Sequence, residues 1–434
     1  MNLRIAGIEL RRSAAPWIGA FVAALAWAWT TDPERWDGLW MATVLAHQSS
    51  LWLLCPLALM AGAWQGRRNQ PARMTELVMS TPRGAAQSAP LAVVLAGCLA
   101  VGYALSLLDG VVRAARTTSY QPAGWYWPVL VGVLGLAAAG VLGLWLGRVL
   151  SSRLTAPLLA LGALVAVVVS QVLWQDSGPS ALLLIPGRLS LPDVYSAPDW
   201  RTNAGQAVWF FGVSATSWVL LSAGTRLRKW IAVLPVVLSL AVALAVLPPP
   251  DRAVPHDTHA VALVCAEGQP RVCVTRLYEP VLPQLVGPAR QALTVLGRLP
   301  HPPTAVIQHY GNDTQSPGAV ALDLTVLQDG TVSIGTAGSI EEGILEGAGT
   351  RACGAIYDDE VGTRVEAARV AAGLWLRGAD AAPASMWSPL RELVDGALAT
   401  MRTLPEDAQV ARVGTMRDAA LDCRLDLYDV LTTR

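Results

Sequence analysis

Five histidines are the residues best suited to metal binding or acid–base chemistry, and their spacing gives little support for either. His256 and His259 are three positions apart, so one helical face would present both, but they follow a proline-rich stretch and we expect a solvated pair. His301 lies just before a predicted strand and His309 near the end of that strand, and neither has an evident partner. The zinc-protease sequence H-E-x-x-H and the nucleophile sequence G-x-S-x-G are both absent. We therefore predict no catalytic residue, no metal site and no enzyme activity in this chain.

Lys229 is the only lysine of the chain, and its position shows whether the chain contains a phosphate-binding P-loop. A phosphate-binding P-loop has the sequence G-x-x-x-x-G-K-[ST], in which the lysine reaches the phosphates. Trp230 follows Lys229, so the chain has no P-loop and cannot hydrolyse ATP by that route. We predict no cofactor bound by this chain.

Three uncharged polar residues lie inside long apolar stretches: His47, Gln48 and Gln171. Inside a membrane such side chains either join helices through hydrogen bonds or line a polar path. Both interpretations stay open, and the three residues are candidates for a substrate path.

Four of the six cysteines fall in the last 185 residues, and two pairings among them are favoured. Two predicted strands flank the turn Glu267–Pro270, which would bring Cys265 and Cys273 together and leave Cys353 to pair with Cys423. An oxidising compartment favours such disulfides. Cys55 and Cys98 lie in apolar stretches and are predicted to be inert.

Seven stretches without a charged residue follow one another in the first 250 residues. They predict the helices that position His47, Gln48 and Gln171. A bilayer core about 30 Å thick needs roughly 20 apolar helical residues. Buried helices of soluble proteins average about 11–12 residues and carry a polar stripe. We therefore predict a polytopic α-helical membrane protein of about seven transmembrane helices, followed by an extracytoplasmic α+β domain. The stretches are Ser13–Thr31, Gly38–Gly66, Gly84–Leu108, Thr117–Gly147, Leu154–Gln175, Thr202–Thr225 and Trp230–Pro250.

Basic residues set the predicted orientation. With the N-terminus in the cytoplasm, the inner segments carry twelve basic residues and the short outer loops carry five, which agrees with the enrichment of basic residues in inner loops. Seven spans then place the C-terminus outside the cytoplasm. The charge divides accordingly, with a net charge of +8 over residues 1–250 and −8 over residues 251–434. Nearly all basic residues are arginine rather than lysine, which is typical of GC-rich bacterial genomes. We therefore predict a bacterial cell membrane as the location.

The predicted organisation has three parts. Residues 1–12 form an amphipathic helix at the membrane surface. Residues 13–247 form the transmembrane domain, with an inner polar loop at 65–89 and an outer loop at 176–206. The outer loop contains an apolar run too short to cross, which predicts a re-entrant segment. Residues 251–434 form the outer domain.

One span and the outer domain carry further patterns. Gly135, Ala139, Gly143 and Gly147 share one helical face and predict close helix packing. In the outer domain, alternating and helical periodicities predict five strands and four helices. The strands are Val261–Cys265, Val272–Leu277, Thr304–Tyr310, Ala319–Leu327 and Thr331–Thr336, and the helices are Pro283–Leu299, Asp359–Leu376, Met386–Thr403 and Thr415–Leu431.

Three features together suggest a family. The N-terminal segment ends in Glu9–Arg12 just before the first span, the inner loop contains E-L-V-M-S-T-P-R at Glu76–Arg83, and a long outer loop separates spans five and six. In these features residues 1–228 resemble the membrane (permease) subunit of type-2 ATP-binding-cassette (ABC) exporters, whose coupling segment has a similar E-L-L-x-S-T-P sequence. Some actinobacterial permeases of this type have a comparable extra span and outer domain.

The resemblance implies partners and a role. A cytoplasmic ABC ATPase subunit would bind ATP and Mg²⁺ and dock on the inner loop, and a second permease subunit, identical or different, would complete the path. The chain would then export a peptide, a lipid or a natural product. The lipid bilayer would be a further partner, and no nucleic acid is expected to bind. The residues that match the coupling segment are Arg73, Glu76, Leu77, Ser80, Thr81, Pro82 and Arg83.

Two other functions stay open. The spans could simply anchor the outer domain of a receptor or assembly protein, in which case the inner loop would be dispensable. A membrane-anchored hydrolase would need a reactive cluster in residues 251–434, and the sequence suggests none.

Overall fold

The computed structural model describes ten stretches of the chain, which fall into two units. The first unit comprises Met1–Thr117 and Gln121–Asp257, and the second comprises Thr118–Tyr120 and Thr258–Arg434. The described residues are 3–30, 39–68, 89–150, 152–173, 178–222, 230–310, 315–326, 332–334, 339–354 and 359–433.

Most α-helices of the first unit form from the apolar stretches of the sequence, whereas α1 and α6 are short and carry charged residues. Basic residues lie in the last turns of α1, α4 and α7. The helices are α1 (Leu3–Arg12), α2 (Ala15–Thr30), α3 (Trp40–Ser49), α4 (Leu51–Arg68), α5 (Ala89–Ser106), α6 (Leu108–Thr117), α7 (Trp127–Val149), α8 (Thr155–Leu173), α9 (Trp200–Ser222) and α10 (Leu234–Val246).

Several of these helices are long and apolar enough to cross a membrane. Within the described residues there are four: the α5–α6 stretch Ala89–Thr117, α7, α8 and α9. Helices α3 and α4 meet at an angle of 42° and make a fifth if they form one broken span. The fold is therefore compatible with a helical membrane protein, and it contains four or five candidate spans among the described residues. A count of seven requires the shorter apolar helices α2 and α10 to cross as well.

Glycines allow α4 and α7 to touch backbone to backbone. A Cβ atom added to Gly143 would lie 2.1 Å from the carbonyl oxygen of Leu59, and one added to Gly147 would lie 2.1 Å from that of Ala63. Gly62 of α4 approaches α7 as closely. The predicted packing role of the small residues on α7 is confirmed at Gly143 and Gly147.

The segment before α9 is partly buried, although it forms no long helix. Leu183 and Leu184 lie in a short 3₁₀ turn and pack in a buried cluster with residues of α3 and α10. Helix α9 begins at Trp200, so the prediction that this loop extends to residue 206 is wrong. The carboxylate of Asp199 accepts a hydrogen bond from the backbone N–H of Arg201 at 2.7 Å, as an N-terminal cap does, and starts the helix early.

A four-stranded sheet and a separate hairpin form the β-structure of the second unit. The sheet has the order β1-β2-β3-β4, in which β1 runs antiparallel to β2 while β2, β3 and β4 are parallel. The predicted strand Ala319–Leu327 is divided at Asp323, because β4 pairs with β3 and β5 pairs with β6. The strands are β1 (Leu263–Cys265), β2 (Arg271–Thr275), β3 (Ala305–Gln308), β4 (Ala319–Leu322), β5 (Leu324–Val326) and β6 (Val332–Ile334).

Six helices accompany these strands in the described part of the second unit, and one of them corrects a prediction. The predicted helix Thr415–Leu431 is wrong, since α15 and α16 are separate and Cys423 lies between them with a left-handed φ of 55°. Helix α12 was not among the predicted helices, and Ser339 caps it by accepting a hydrogen bond from the N–H of Glu342. The helices are α11 (Leu282–Leu296), α12 (Ile340–Leu345), α13 (Asp359–Leu376), α14 (Ser388–Arg402), α15 (Glu406–Leu421) and α16 (Leu427–Thr432).

The four cysteines of the second unit are paired as predicted. Disulfides join Cys265 to Cys273, across the β1–β2 hairpin, and Cys353 to Cys423. The second bridge closes a separation of 70 residues and fixes the break between α15 and α16 to the segment before α13.

A buried arginine holds three loops of the second unit together. Arg417 is 1% exposed and donates hydrogen bonds to the carbonyl oxygens of Ala348 at 3.1 Å, His301 at 3.4 Å and Pro317 at 2.9 Å. Burial lowers the pKa of this guanidinium below its ordinary value. Three backbone acceptors that would otherwise lack a partner are thereby satisfied.

Candidate functional site

A bend between α3 and α4 determines where His47 and Gln48 lie. The hydroxyl groups of Ser49 and Ser50 donate to the carbonyl oxygens of Ala46 and His47, each at 2.6 Å. Serines that bond back to the preceding turn bend helices. His47 and Gln48, in the last turn before the bend, are 0% and 2% exposed in the interior of the first unit.

Hydrogen bonds connect these two side chains to other helices. His47 Nε2 lies 3.1 Å from the carbonyl oxygen of Tyr103 on α5, and the two rings stack with their centroids 4.2 Å apart. Gln48 Nε2 donates to Gln206 Oε1 on α9 at 3.4 Å. Gln206 Nε2 in turn donates to the carbonyl oxygen of Leu183 at 2.6 Å, which satisfies a backbone acceptor in the short 3₁₀ turn. Side chains from α3, α5 and α9 thus meet at one place.

Buried polar atoms at this place exceed what the helix contacts use. His47 Nδ1, Gln48 Oε1 and the hydroxyl oxygen of Tyr103 are buried without a hydrogen-bond partner among the described residues, and so is Oδ1 of Asn203, which lies one helical turn before Gln206 on α9. An unsatisfied buried polar group costs about 1–3 kcal/mol, and the large majority of buried side-chain polar atoms in proteins have a partner. We call the set His47, Gln48, Tyr103, Asn203 and Gln206 the interior polar cluster. Its spare hydrogen-bonding capacity suits contact with water or with a polar solute.

Gln171 does not share this position. It lies on α8, is half-buried, and forms no hydrogen bond with His47 or Gln48 within the described residues. Apart from Thr155, the described side chains of α8 are all at least partly exposed, and many of them are large and apolar. Of the three polar residues that the sequence singled out, the structure brings together two.

The predicted coupling segment lies outside the described residues. Arg73, Glu76, Leu77, Ser80, Thr81, Pro82 and Arg83 all fall between Arg68, the last residue of α4, and Ala89, the first of α5.

A polar cavity of about 430 Å³ lies beside the end of α4. Gln65 and Arg68 of α4 line it together with Glu9 and Arg12 of α1. Gln65 is 4% exposed, and neither polar atom of its amide has a hydrogen-bond partner in the described part of the chain. The end of α4 is therefore surrounded by charged and hydrogen-bonding groups immediately before the segment 69–88.

Two histidines elsewhere lie beside single carboxylates. His256 Nε2 lies 2.6 Å from Asp193 Oδ2 in the first unit, so His256 contacts a carboxylate and is not simply solvated as predicted. In the second unit His301 Nδ1 lies 3.5 Å from Asp418 Oδ2. The described residues contain no group of three or more histidine, cysteine, aspartate or glutamate side chains placed to hold a metal ion.

Sequence reasoning found two members of the interior polar cluster and missed the other three. Asn203 and Gln206 lie in the charge-free stretch Thr202–Thr225, so the criterion that identified His47 and Gln48 applied to them equally. Tyr103 gave no such signal, because a tyrosine within an apolar helix is usually a packing residue.

Comparisons with protein-family models, with curated proteins and with solved structures find no match to this chain.

Proposed function

We propose that this chain is the permease subunit of a type-2 ABC exporter in a bacterial cell membrane. In this proposal seven spans cross the membrane, the N-terminus is cytoplasmic, and the domain from residue 251 onwards is extracytoplasmic. The observation that carries the proposal is the interior polar cluster, where buried hydrogen-bonding atoms of three helices have no partner among the described residues. Polar groups inside membrane proteins either join helices or line solute paths, and atoms left without a partner by the helix contacts favour the path.

The position of α4 supports the proposed coupling. Its last turn ends at Arg68, and the segment that resembles the coupling sequence of the family begins a few residues later. The same helix begins at the bend that buries His47 and Gln48. Because a helix moves largely as a rigid body, displacement of its Arg68 end reaches the bend directly.

The proposed mechanism divides the work between chains. A cytoplasmic ATPase subunit binds ATP with Mg²⁺ and docks on residues 69–88, and a second permease subunit completes the path. The interior polar cluster offers uncharged hydrogen-bonding groups, which favour a polar but uncharged part of a peptide, lipid or natural product.

The docking step is tested with a charge reversal in the predicted coupling segment. The chain is purified from its native membrane in mild detergent, and the amount of P-loop ATPase that co-purifies is measured. We expect Glu76→Arg to reduce this amount at least tenfold, while Glu406→Arg, an exposed reversal on α15, leaves it unchanged. If no P-loop ATPase co-purifies with the wild-type chain, or if Glu76→Arg retains it fully, the exporter proposal fails and an anchored receptor or assembly protein becomes the better explanation.

The solute path is tested separately in proteoliposomes that contain the assembled complex. His47→Leu removes a group of the interior polar cluster, and we expect it to lower solute-stimulated ATP hydrolysis at least tenfold while the ATPase subunit still co-purifies. Gln171→Leu, on a surface helix, provides the matched control and should retain wild-type stimulation. Equal stimulation in all three proteins would remove the cluster from the path.

A further inference from the structure

A second cavity of about 430 Å³ forms a groove between α2, α4 and the start of α8. Its walls are mainly apolar, with Trp17 and Phe21 on α2 and Met60 and Trp64 on α4. Three of these side chains are strongly exposed: Trp17 is 80%, Phe21 54% and Trp64 40% accessible. Large aromatic side chains open to the surroundings along a groove favour an apolar occupant.

The length of the groove matches one leaflet of a membrane. One side of the lining runs from Ala14, just before α2, to Val22 on α2, and the other runs from Leu57 to Arg67 on α4. At 1.5 Å per helical residue these stretches are about 12 Å and about 15 Å long. The hydrocarbon core of a bilayer is about 30 Å thick, so the groove extends over roughly half of it.

Two arginines lie at one end of this apolar groove. Arg67 is in the last turn of α4 and Arg153 comes two residues before α8, and both line the cavity. Neither forms an ion pair within the part of the chain that the structure describes. Two guanidinium groups are well suited to a phosphate, which they bind through charge-assisted, bidentate hydrogen bonds.

We propose that this groove is a binding site for an anionic phospholipid. The phosphate lies between Arg67 and Arg153, and one acyl chain lies along Trp17, Phe21 and Met60. The charge at one end and the apolar walls over one leaflet carry the assignment, because a small soluble anion would need only the arginines. The site is separate from the interior polar cluster, and the inference does not depend on the proposed export function.

Native mass spectrometry of the full-length chain in detergent tests the site, with phosphatidylglycerol and phosphatidylcholine as probes. We expect one phosphatidylglycerol to bind in preference to phosphatidylcholine. The double variant Arg67→Gln/Arg153→Gln should bind it at least tenfold more weakly, since one hydrogen bond to a charged group contributes about a factor of ten. Arg11→Gln/Arg116→Gln, which removes two exposed arginines outside the groove, is the matched control and should bind like the wild type.

A second variant tests the acyl part of the site. Ala61 is a small, uncharged residue that lines the groove. The phenyl ring of Ala61→Phe should fill the groove and weaken phosphatidylglycerol binding at least tenfold. This variant also provides the test if the double variant fails to fold, as judged by circular dichroism.

Four results would overturn the inference. Wild-type affinity for phosphatidylglycerol in the double variant would exclude the arginines. Unchanged binding by Ala61→Phe would show that no acyl chain occupies the groove. Complete displacement of the lipid by millimolar inorganic phosphate would show a site for a soluble anion. If the wild type binds no lipid but forms a dimer that Ala61→Phe abolishes, the groove would instead be the binding site of a second copy of the chain.

Discussion

Replacing Gly143 by alanine tests whether α4 and α7 touch backbone to backbone. The added methyl group would lie 2.1 Å from the carbonyl oxygen of Leu59. A carbon seldom approaches a carbonyl oxygen closer than about 3.3 Å, so the two helices must separate by about 1 Å at this crossing. Forced expansion of a close-packed interface typically costs about 1–3 kcal/mol.

At an open position the same glycine-to-alanine substitution should have the opposite effect on the unfolding free energy. No atom lies within 4 Å of a Cβ added to Gly97 of α5. Alanine is a better helix former than glycine by up to about 1 kcal/mol, so Gly97→Ala should be neutral or stabilising. The two variants have the same change in composition and in the unfolded chain, and their unfolding free energies should differ by about 2 kcal/mol or more.

Equilibrium unfolding in mixed detergent micelles, followed by circular dichroism, measures this difference. Gly162→Ala on α8, where the added methyl group also meets no atom, provides a second control. If Gly143→Ala is as stable as the two controls, the close approach of α4 and α7 does not exist in the folded protein. The packing interpretation of the small residues on α7 would then be refuted.

Two further predictions concern the second unit. Arg417→Gln should lower the unfolding free energy of this unit by about 1–3 kcal/mol, because the buried carbonyl oxygen of Ala348 and two partly buried ones lose their donor. The exposed Arg298→Gln should change it by less than about 0.5 kcal/mol, and hydrogen exchange of this unit in the full chain measures both. Replacing both cysteines of the Cys353–Cys423 disulfide by alanine should lower the unfolding free energy by about 4 kcal/mol, and replacing both cysteines of Cys265–Cys273 should lower it by about 2.5 kcal/mol. The difference arises because loop-closure entropy grows with the separation of the joined residues, which is 70 for the first pair and 8 for the second. Thermal unfolding of the two double variants measures this order, and an equal loss from both would contradict the entropic explanation.

The apolar helices could be predicted from the sequence because their signal is local. A charge-free stretch rich in leucine and valine needs no distant partner to form a helix in an apolar setting. The number of spans was not determined in the same way. Helices α2 and α10 have 16 and 13 residues in the structure, although their stretches in the sequence are longer. A stretch without charges limits where a helix can lie, but it does not fix where the helix begins and ends.

The interior polar cluster could be predicted only in part, because it depends on tertiary contacts. His47 and Gln171 satisfied the same criterion, a polar side chain within an apolar stretch. The bend at Ser50 places His47 in the interior, whereas Gln171 lies on a helix whose sides stay exposed. Helical periodicity alone assigns no interior side to a helix that is apolar all around, so the distinction was not available from the sequence.

In the second unit the errors have local causes that compete with periodicity. The helical pattern continues through Cys423, yet the disulfide to Cys353 and the left-handed backbone at Cys423 end α15 there. Ser339 and Glu342, by contrast, form the S-x-x-E pattern of a helix start, so α12 could have been predicted. A constraint between distant residues is not encoded in the local pattern, whereas a capping sequence is.

Helix α4 connects the features described for the first unit. One of its faces touches α7 through Gly62, a second lines the apolar groove through Trp64 and Arg67, and a third lines the polar cavity through Gln65 and Arg68. A rotation or shift of α4 must therefore change all three surfaces together. If residues 69–88 transmit motion from an ATPase, a phospholipid held at Arg67 would resist that motion. Phosphatidylglycerol should then alter the rate of coupled ATP hydrolysis in the wild-type complex and leave it unchanged in Arg67→Gln/Arg153→Gln.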